Sequence, residues 1–203
     1  MTHTLKDDIR ARTLVARQLV SKDARHAETA ALIGHLQAVL NPDEPVCAYA
    51  PLPHEPGFPD LADALVAICG KVLLPIARPS DDGVPQPLQW GTYRGERLIQ
   101  APYGLLEPPP PWQPPTALAS VRTVLVPALA VDRHGVRLGR GAGFYDRSLS
   151  FREPAARLIA VVRDDELVDE LPAEPHDIAM THALTPGYGL VAFGNVAGPL
   201  ALE

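Results

Sequence analysis

The sequence predicts an α/β fold: a doubly wound, mostly parallel sheet flanked by helices, in one domain spanning residues 1–203. Three observations carry that expectation. Short runs rich in Val, Leu and Ile recur at 46–50, 71–76, 121–127, 158–162 and 178–183, and they suit strands buried on both faces. Segments of helical spacing alternate with several of these runs. At 203 residues the chain can bury a sizeable core, and it is short enough for one domain.

The elements follow in order. Residues 4–20 read as an amphipathic helix with Leu5, Ile9 and Leu14 among its apolar positions. Lys6, Arg10, Thr13 and Arg17 fall at offsets of four, seven and eleven, which puts them on one face. Charge stripes of this kind usually face solvent, and so is this one expected to. A second helix covers 23–40, with Leu32, Leu36 and Leu40 spaced by four, and Asn41-Pro42 ends it. After the 46–50 strand comes a proline-punctuated loop at 51–59, a helix at 61–68 with Gly70 as its stop, and the 71–76 strand. Residues 79–87 are rich in turn signals, and 88–98 form a short hairpin or edge element. The segment 107–115 holds six prolines and Trp112; without a basic flank it reads as a stiff surface connection rather than a polyproline ligand. Residues 121–127 are the strongest strand signal, a helix opens near Tyr145 and runs to 151, and strands at 158–162 and 178–183 complete the sheet.

Composition excludes several classes. With 24 acidic against 18 basic side chains the net charge is −6, which opposes non-specific nucleic-acid binding but permits a locally basic pocket. Cys47 and Cys69 sit in apolar surroundings as small hydrophobes, and no spacing suggests zinc. The first seventeen residues lack a hydrophobic signal core and no run reaches membrane-spanning length, so the expectation is a cytoplasmic protein with no membrane partner.

One stretch carries chemistry: Arg137-Leu138-Gly139-Arg140-Gly141-Ala142-Gly143-Phe144-Tyr145-Asp146. The alternating glycines permit positive φ and leave backbone amides unshielded, so successive N–H groups can form an anion nest at the start of a helix. Arg137 and Arg140 supply guanidinium groups that match phosphate oxygens. Asp146 is a carboxylate suited to Mg²⁺, which usually binds one or two carboxylates together with substrate phosphates. The stretch follows the 121–127 strand, at a carboxyl end where ligands sit in such sheets. It is neither a Walker loop nor a G-x-G-x-x-G fingerprint, and no G-x-S-x-G elbow occurs. Glu55 lies in another strand-end loop. The acidic residues between 164 and 177 read mostly as a solvated loop, and His176 and His182 as ordinary structural residues.

Val126-Pro127-Ala128-Leu129-Ala130-Val131-Asp132, followed by the Arg137–Arg147 stretch, resembles the signature of the 5-formyltetrahydrofolate cyclo-ligase family, also called 5,10-methenyltetrahydrofolate synthetases. Weaker matches fall in the right order: Lys6 to Arg10 is similar to K-x-x-L-R, Tyr103 to Pro108 to F-G-I-x-E-P, and Leu171 to Asp177 to L-P-x-E-x-H-D. The resemblance implies a Rossmann-like fold and an ATP- and Mg²⁺-dependent ring closure of 5-formyltetrahydrofolate, by phosphorylation of the formyl oxygen. It implies that Lys6, Arg10, Arg137, Leu138, Gly139, Arg140, Gly141, Ala142, Gly143, Phe144 and Tyr145 bind ATP. Arg140 and Tyr145 are then catalytic; Leu52, Glu55, Tyr103, Arg140 and Phe144 hold the reduced folate; Asp146 and Asp177 hold Mg²⁺. A monomer is expected. Ala128, Ala142 and Phe144 depart from the usual family residues, and Pro56-Gly57 follows Glu55 where the family commonly has I/V-D/E-T. Three alternatives stand beside this reading: a relative acting on another substrate, with Glu55 and Tyr103 the discriminating positions; a non-catalytic nucleotide- or folate-binding protein, which the Ala142 and Phe144 changes permit; and a sugar-phosphate or coenzyme-A enzyme, since related folds host those.

Overall fold

The computed structural model describes residues 2–174 and 177–194; the side chains of residues 2–4 and of Tyr103, and all of His176, lie outside the described part. The chain runs α1 (Thr2–Leu19), α2 (Lys22–Val39), β1 (Val46–Cys47), α3 (Leu61–Cys69), β2 (Val72–Ile76), β3 (Gln89–Tyr93), β4 (Ile99–Gln100), β5 (Leu106–Glu107), β6 (Trp112–Gln113), β7 (Thr123–Pro127), β8 (Ala130–Asp132), β9 (Arg137–Leu138), α4 (Phe144–Ser148), β10 (Arg157–Val161), β11 (Leu167–Val168), β12 (His182–Thr185) and β13 (Gly189–Ala192).

Eight strands form the main sheet, in the order β13-β12-β10-β7-β1-β2-β3-β6. The five from β12 to β2 are parallel. β13 at one edge, and β3 and β6 at the other, are antiparallel, so the sheet is mixed rather than wholly parallel. The central strands bury both faces. Along β7, Val124 and Val126 pack into one core cluster and Leu125 into the other, and Leu158 and Ile159 of β10 divide the same way. Leu32 and Leu36 of α2 and Leu61 and Leu65 of α3 cover the face of Leu125 and Ile159, which makes it the first of the two. Leu118, Leu149 and Trp90 belong to the second.

Local chemistry explains the ends. Ser21 caps α2 by accepting the Ala24 N–H at 3.2 Å, and Gly70 ends α3 in the left-handed region at φ 68°. The 178–183 strand begins later than expected, at His182, because Met180 N–H is drawn to the Gly135 carbonyl (2.8 Å) before the ladder starts. The proline-rich segment is indeed a connection, but it also supplies β6, whose Trp112 faces Gly91 of β3. That strand, β13 and the small sheet β11-β8-β9 have no clear apolar alternation in sequence.

α1 contradicts the expected solvated stripe. Lys6 and Arg17 are buried, whereas Leu5, Val15 and Leu19 are exposed. The helix docks by charge, because Arg17 donates to both Glu166 oxygens at 2.7 Å and to the Ala128 carbonyl at 2.6 Å. Burial alone would pull the Arg17 pKa down; the hydrogen bonds and charge of Glu166 outweigh it, so the group stays ionised. Glu166 also accepts the Arg163 N–H (2.8 Å), and the Arg163 guanidinium reaches Glu28 of α2 (2.9 Å) and the His54 carbonyl (3.2 Å). Glu166, placed in a solvated loop by sequence, is instead the buried hub joining both N-terminal helices to the sheet.

Replacing Glu166 by Ala leaves Arg17 buried without its counter-charge, and should lower the unfolding free energy by about 3–5 kcal/mol. Urea denaturation followed by circular dichroism checks this; a loss under about 1 kcal/mol would show that the pair is solvated.

Candidate active site

β1 is flanked by β2, its successor, on one side and by the later β7 on the other, so the order of the sheet reverses at β1. Ligand-binding crevices open outside the carboxyl ends of strands at such a point. A cavity of about 1020 Å³ occupies it here. Tyr49 and Ala50 after β1, Ala77 after β2, and Pro127 and Ala128 of the β7 end form its floor.

The structure brings almost every residue named from sequence to this cavity. Lys6, Arg10, Leu52, Glu55, the whole 137–146 stretch and Asp177 all line it. Tyr103 is the exception, since its side chain lies outside the described residues; its neighbours Leu105 and Leu106 line the wall. Sequence reasoning missed Tyr49, Arg147 and Glu174 among others. Tyr49 closes an apolar run and Glu174 sat among many acids, so neither carried a distinguishing signal.

The 137–146 stretch is positioned by a hairpin. β8 and β9 pair antiparallel, and Asp132 closes their turn by accepting the His134 and Val136 N–H groups at 2.8 and 2.9 Å. Its other oxygen accepts the Leu171 N–H at 2.9 Å, so this fully buried acid is structural. Beyond β9 the chain turns through Gly141 and Gly143, at φ 96° and 74°, where an L side chain would be strained. The expected helix at 145–151 is shorter: α4 has five residues and continues as a single 3₁₀ turn. Anion attraction at this loop therefore rests on side-chain cations more than on a helix dipole.

Those cations are held by carboxylates. Lys6 Nζ lies 2.9 Å from Glu174 and 3.3 Å from Asp177. Burial pulls its pKa down, but the hydrogen bonds and charges of the two acids outweigh that and leave it raised. Arg10 donates to the Gly139 carbonyl at 3.0 Å and pairs with Asp7. Arg137 Nη2 lies 2.7 Å from Asp146 and its guanidinium sits 5.6 Å from the centre of the Tyr145 ring. Arg140 reaches across the cavity, donating from Nε and Nη2 to one Glu55 oxygen at 3.1 and 2.9 Å. The other Glu55 oxygen accepts the Leu52 N–H at 2.9 Å, which orients the carboxylate. Ion pairs of this kind can be exchanged for pairs with a phosphate.

Among the described residues, no three His, Cys, Asp or Glu side chains group as a metal cage. Asp146 is a partly exposed hard-oxygen donor beside the arginines, which fits a Mg²⁺ ion completed by phosphate oxygens and water. Asp177 instead spends one oxygen on Lys6 and on the Glu174 N–H (2.8 Å).

Comparisons with known proteins point to one family. The model of the 5-formyltetrahydrofolate cyclo-ligase family matches residues 2–186. Over 192 residues the chain is 52% identical to the 5-formyltetrahydrofolate cyclo-ligase of Mycolicibacterium smegmatis, covering 95% of this chain and 99% of that one. It is 36% identical to the Escherichia coli cyclo-ligase over 70 residues, which is 34% of this chain and 38% of that one. The Aquifex aeolicus 5,10-methenyltetrahydrofolate synthetase superposes with a TM-score of 0.76 at 22% identity, over 98% and 96% of the two chains. The Mycoplasma pneumoniae synthetase gives 0.64 at 20% identity, over 86% and 94%. At those identities the structural likeness shows a shared fold.

The Tyr145 hydroxyl is buried with no hydrogen-bond partner among the described residues, and burial pushes its pKa far up. Tyr145→Phe removes an unpaired polar group, so the denaturation midpoint of the ligand-free protein should hold or rise. A fall of more than about 1 kcal/mol in stability would reveal a partner.

Proposed function

The chain belongs to the 5-formyltetrahydrofolate cyclo-ligase family, and from that membership we propose that it closes 5-formyltetrahydrofolate to 5,10-methenyltetrahydrofolate, converting ATP to ADP and phosphate. The observation that carries the reading is the Arg140–Glu55 bridge, which joins the phosphate-type loop to the acid assigned to the pterin across one cavity.

The formyl oxygen attacks the γ-phosphorus, the bond to the bridging oxygen breaks, and ADP departs. The N10 amine then adds to the activated formyl carbon, its proton is lost, and phosphate leaves as the ring closes. Such chemistry asks the protein for positioning and charge neutralisation rather than a nucleophile. Lys6, Arg10 and Arg137, with the backbone from Leu138 to Tyr145, hold the triphosphate by exchanging their carboxylate partners for phosphate oxygens. Asp146 holds Mg²⁺, which supplies further neutralisation of phosphate charge when bound. Asp177 serves chiefly to seat Lys6. Glu55 receives the donor edge of the pterin, and Leu52 and Phe144 contribute apolar wall.

Arg140 has two partners in turn. Without ligands it is tied to Glu55; with ATP in place it swings to the transferring phosphoryl group, which frees Glu55 for the pterin. Binding of one substrate thereby prepares the site for the other. The Tyr145 hydroxyl, already desolvated and unpaired, is available to donate to the reacting oxygens.

The decisive measurement is absorbance of the methenyl product formed from 5-formyltetrahydrofolate, with ATP and Mg²⁺ supplied or withheld. Product is expected only with both; folate binding without any ATP-dependent product would favour a non-catalytic binding protein. Arg140→Ala should lower kcat by about 10²–10³ while leaving folate binding unchanged or tighter. Equal losses in kcat and binding would mean that Arg140 only positions substrate. Asp146→Asn should raise the Mg²⁺ concentration needed for half-maximal activity, and an unchanged metal dependence would move the ion elsewhere.

A further inference from the structure

Glu107 belongs to the Tyr103–Pro108 match, yet it does not line the cavity and takes no part in the chemistry above. It is nonetheless 2% exposed. Its carboxylate is gripped by both arms of Arg78, Nη1 to Oε2 at 2.8 Å and Nη2 to Oε1. Arg78 directly follows Ala77, a residue of the cavity floor, and also donates to the Ala77 carbonyl at 2.9 Å. Glu107 directly follows Leu106, which with Leu105 also lines the cavity. One ion pair therefore ties the segment just after β2 to the strap of residues 105–108, whose first two residues line the cavity.

The pair has its own seat. The Arg78 guanidinium lies over the Trp112 ring, 4.6 Å from its centre. Trp112 donates its indole N–H to the Pro108 carbonyl at 3.0 Å, and β6 fixes Trp112 to β3. Pro108 presses on β3 closely enough that a Cβ at Gly91 would come within 2.9 Å of its ring. The strap is thus fastened on three sides, to β2 through Arg78, to β3 through Gly91, and to β6 through Trp112. It lies on the β2–β3 side of β1, whereas the small sheet bearing the arginine loop follows β7 on the other side.

Given the folate reading of the cavity, we propose that Arg78 and Glu107 are positioning residues for the folate half of the site. Neither touches substrate. Their grip sets the spacing between Ala77 and Leu105–Leu106, and carries the backbone of Tyr103 with it. A planar ring system held between such walls is sensitive to displacements of an ångström or so. Arg78→Lys keeps the charge but loses the two-armed grip, and Arg78→Met removes both.

The test is steady-state kinetics on both variants with each substrate varied in turn, beside equilibrium binding of a non-hydrolysable ATP analogue and of 5-formyltetrahydrofolate. Arg78→Met should raise KM and Kd for 5-formyltetrahydrofolate by about ten-fold, and Arg78→Lys by less, with kcat and the ATP constants shifted under about two-fold. Unchanged folate constants in both variants would overturn the proposal, as would parallel losses for both substrates, which would mean that the pair merely holds the fold. A wild-type protein that binds the ATP analogue but no folate would sink the folate reading itself and this role with it. Wild-type folate binding with unaltered variants would sink only the positioning role.

Discussion

The buried pair between Arg17 and Glu166 is the constraint on which the rest of the structure leans. α1 turns Leu5, Val15 and Leu19 outward and sets Ile9 against Ala130, Leu138 and Leu171, but its buried side chains, Lys6 and Arg17, are charged. Once Arg17 is anchored on Glu166 and the Ala128 carbonyl, helical geometry carries Arg10 and Lys6 to the cavity, about two and three turns away. The same carboxylate caps the Arg163 backbone, and Arg163 in turn reaches α2 and the His54 carbonyl beside Glu55. A buried ion pair need not be more stabilising than an apolar pair of equal volume. What it supplies here is register, since only one azimuth of α1 satisfies it.

The site inherits its position from the sheet. Reversal of strand order at β1 leaves a crevice that no side chain of the sheet itself can fill, and the loops after β1, β2 and β7 converge on it. Cations and carboxylates meet there as partners, so the cavity holds its charges in reserve: Lys6 against Glu174 and Asp177, Arg137 against Asp146, Arg140 against Glu55. A polyanion with its metal can take over these pairs without leaving a buried charge stranded, which makes exchange less costly than binding to bare cations or bare acids would suggest.

Legibility in the sequence followed the range of the forces. The 121–127 strand, the α2 leucines and the Gly70 stop were legible because burial on both faces and helix termination are local rules. The arginine–glycine stretch was legible because alternating glycines and arginines have few other uses, and its residues do converge on the cavity. Glu166, Asp132 and Glu107 were not legible as buried hubs. An acid that will be buried looks no different in sequence from one that will be solvated, and the partners of these three lie far along the chain. The stripe on α1 was read correctly as a face and wrongly as the outer one, because periodicity gives phase but not direction.

By itself, then, the sequence determined the α/β class, the order of the principal strands and helices, and the residues of the arginine–glycine loop that lines the cavity. These depend on propensity, alternation and spacing within a few turns of chain. Only the tertiary structure decided that the edges of the sheet run antiparallel, that α1 is docked by its charges, and that Arg140 lies on Glu55, 85 positions away in sequence. Such pairings are settled by which buried charge can find a partner and which strand edge remains open, and both are known only when the whole chain is packed.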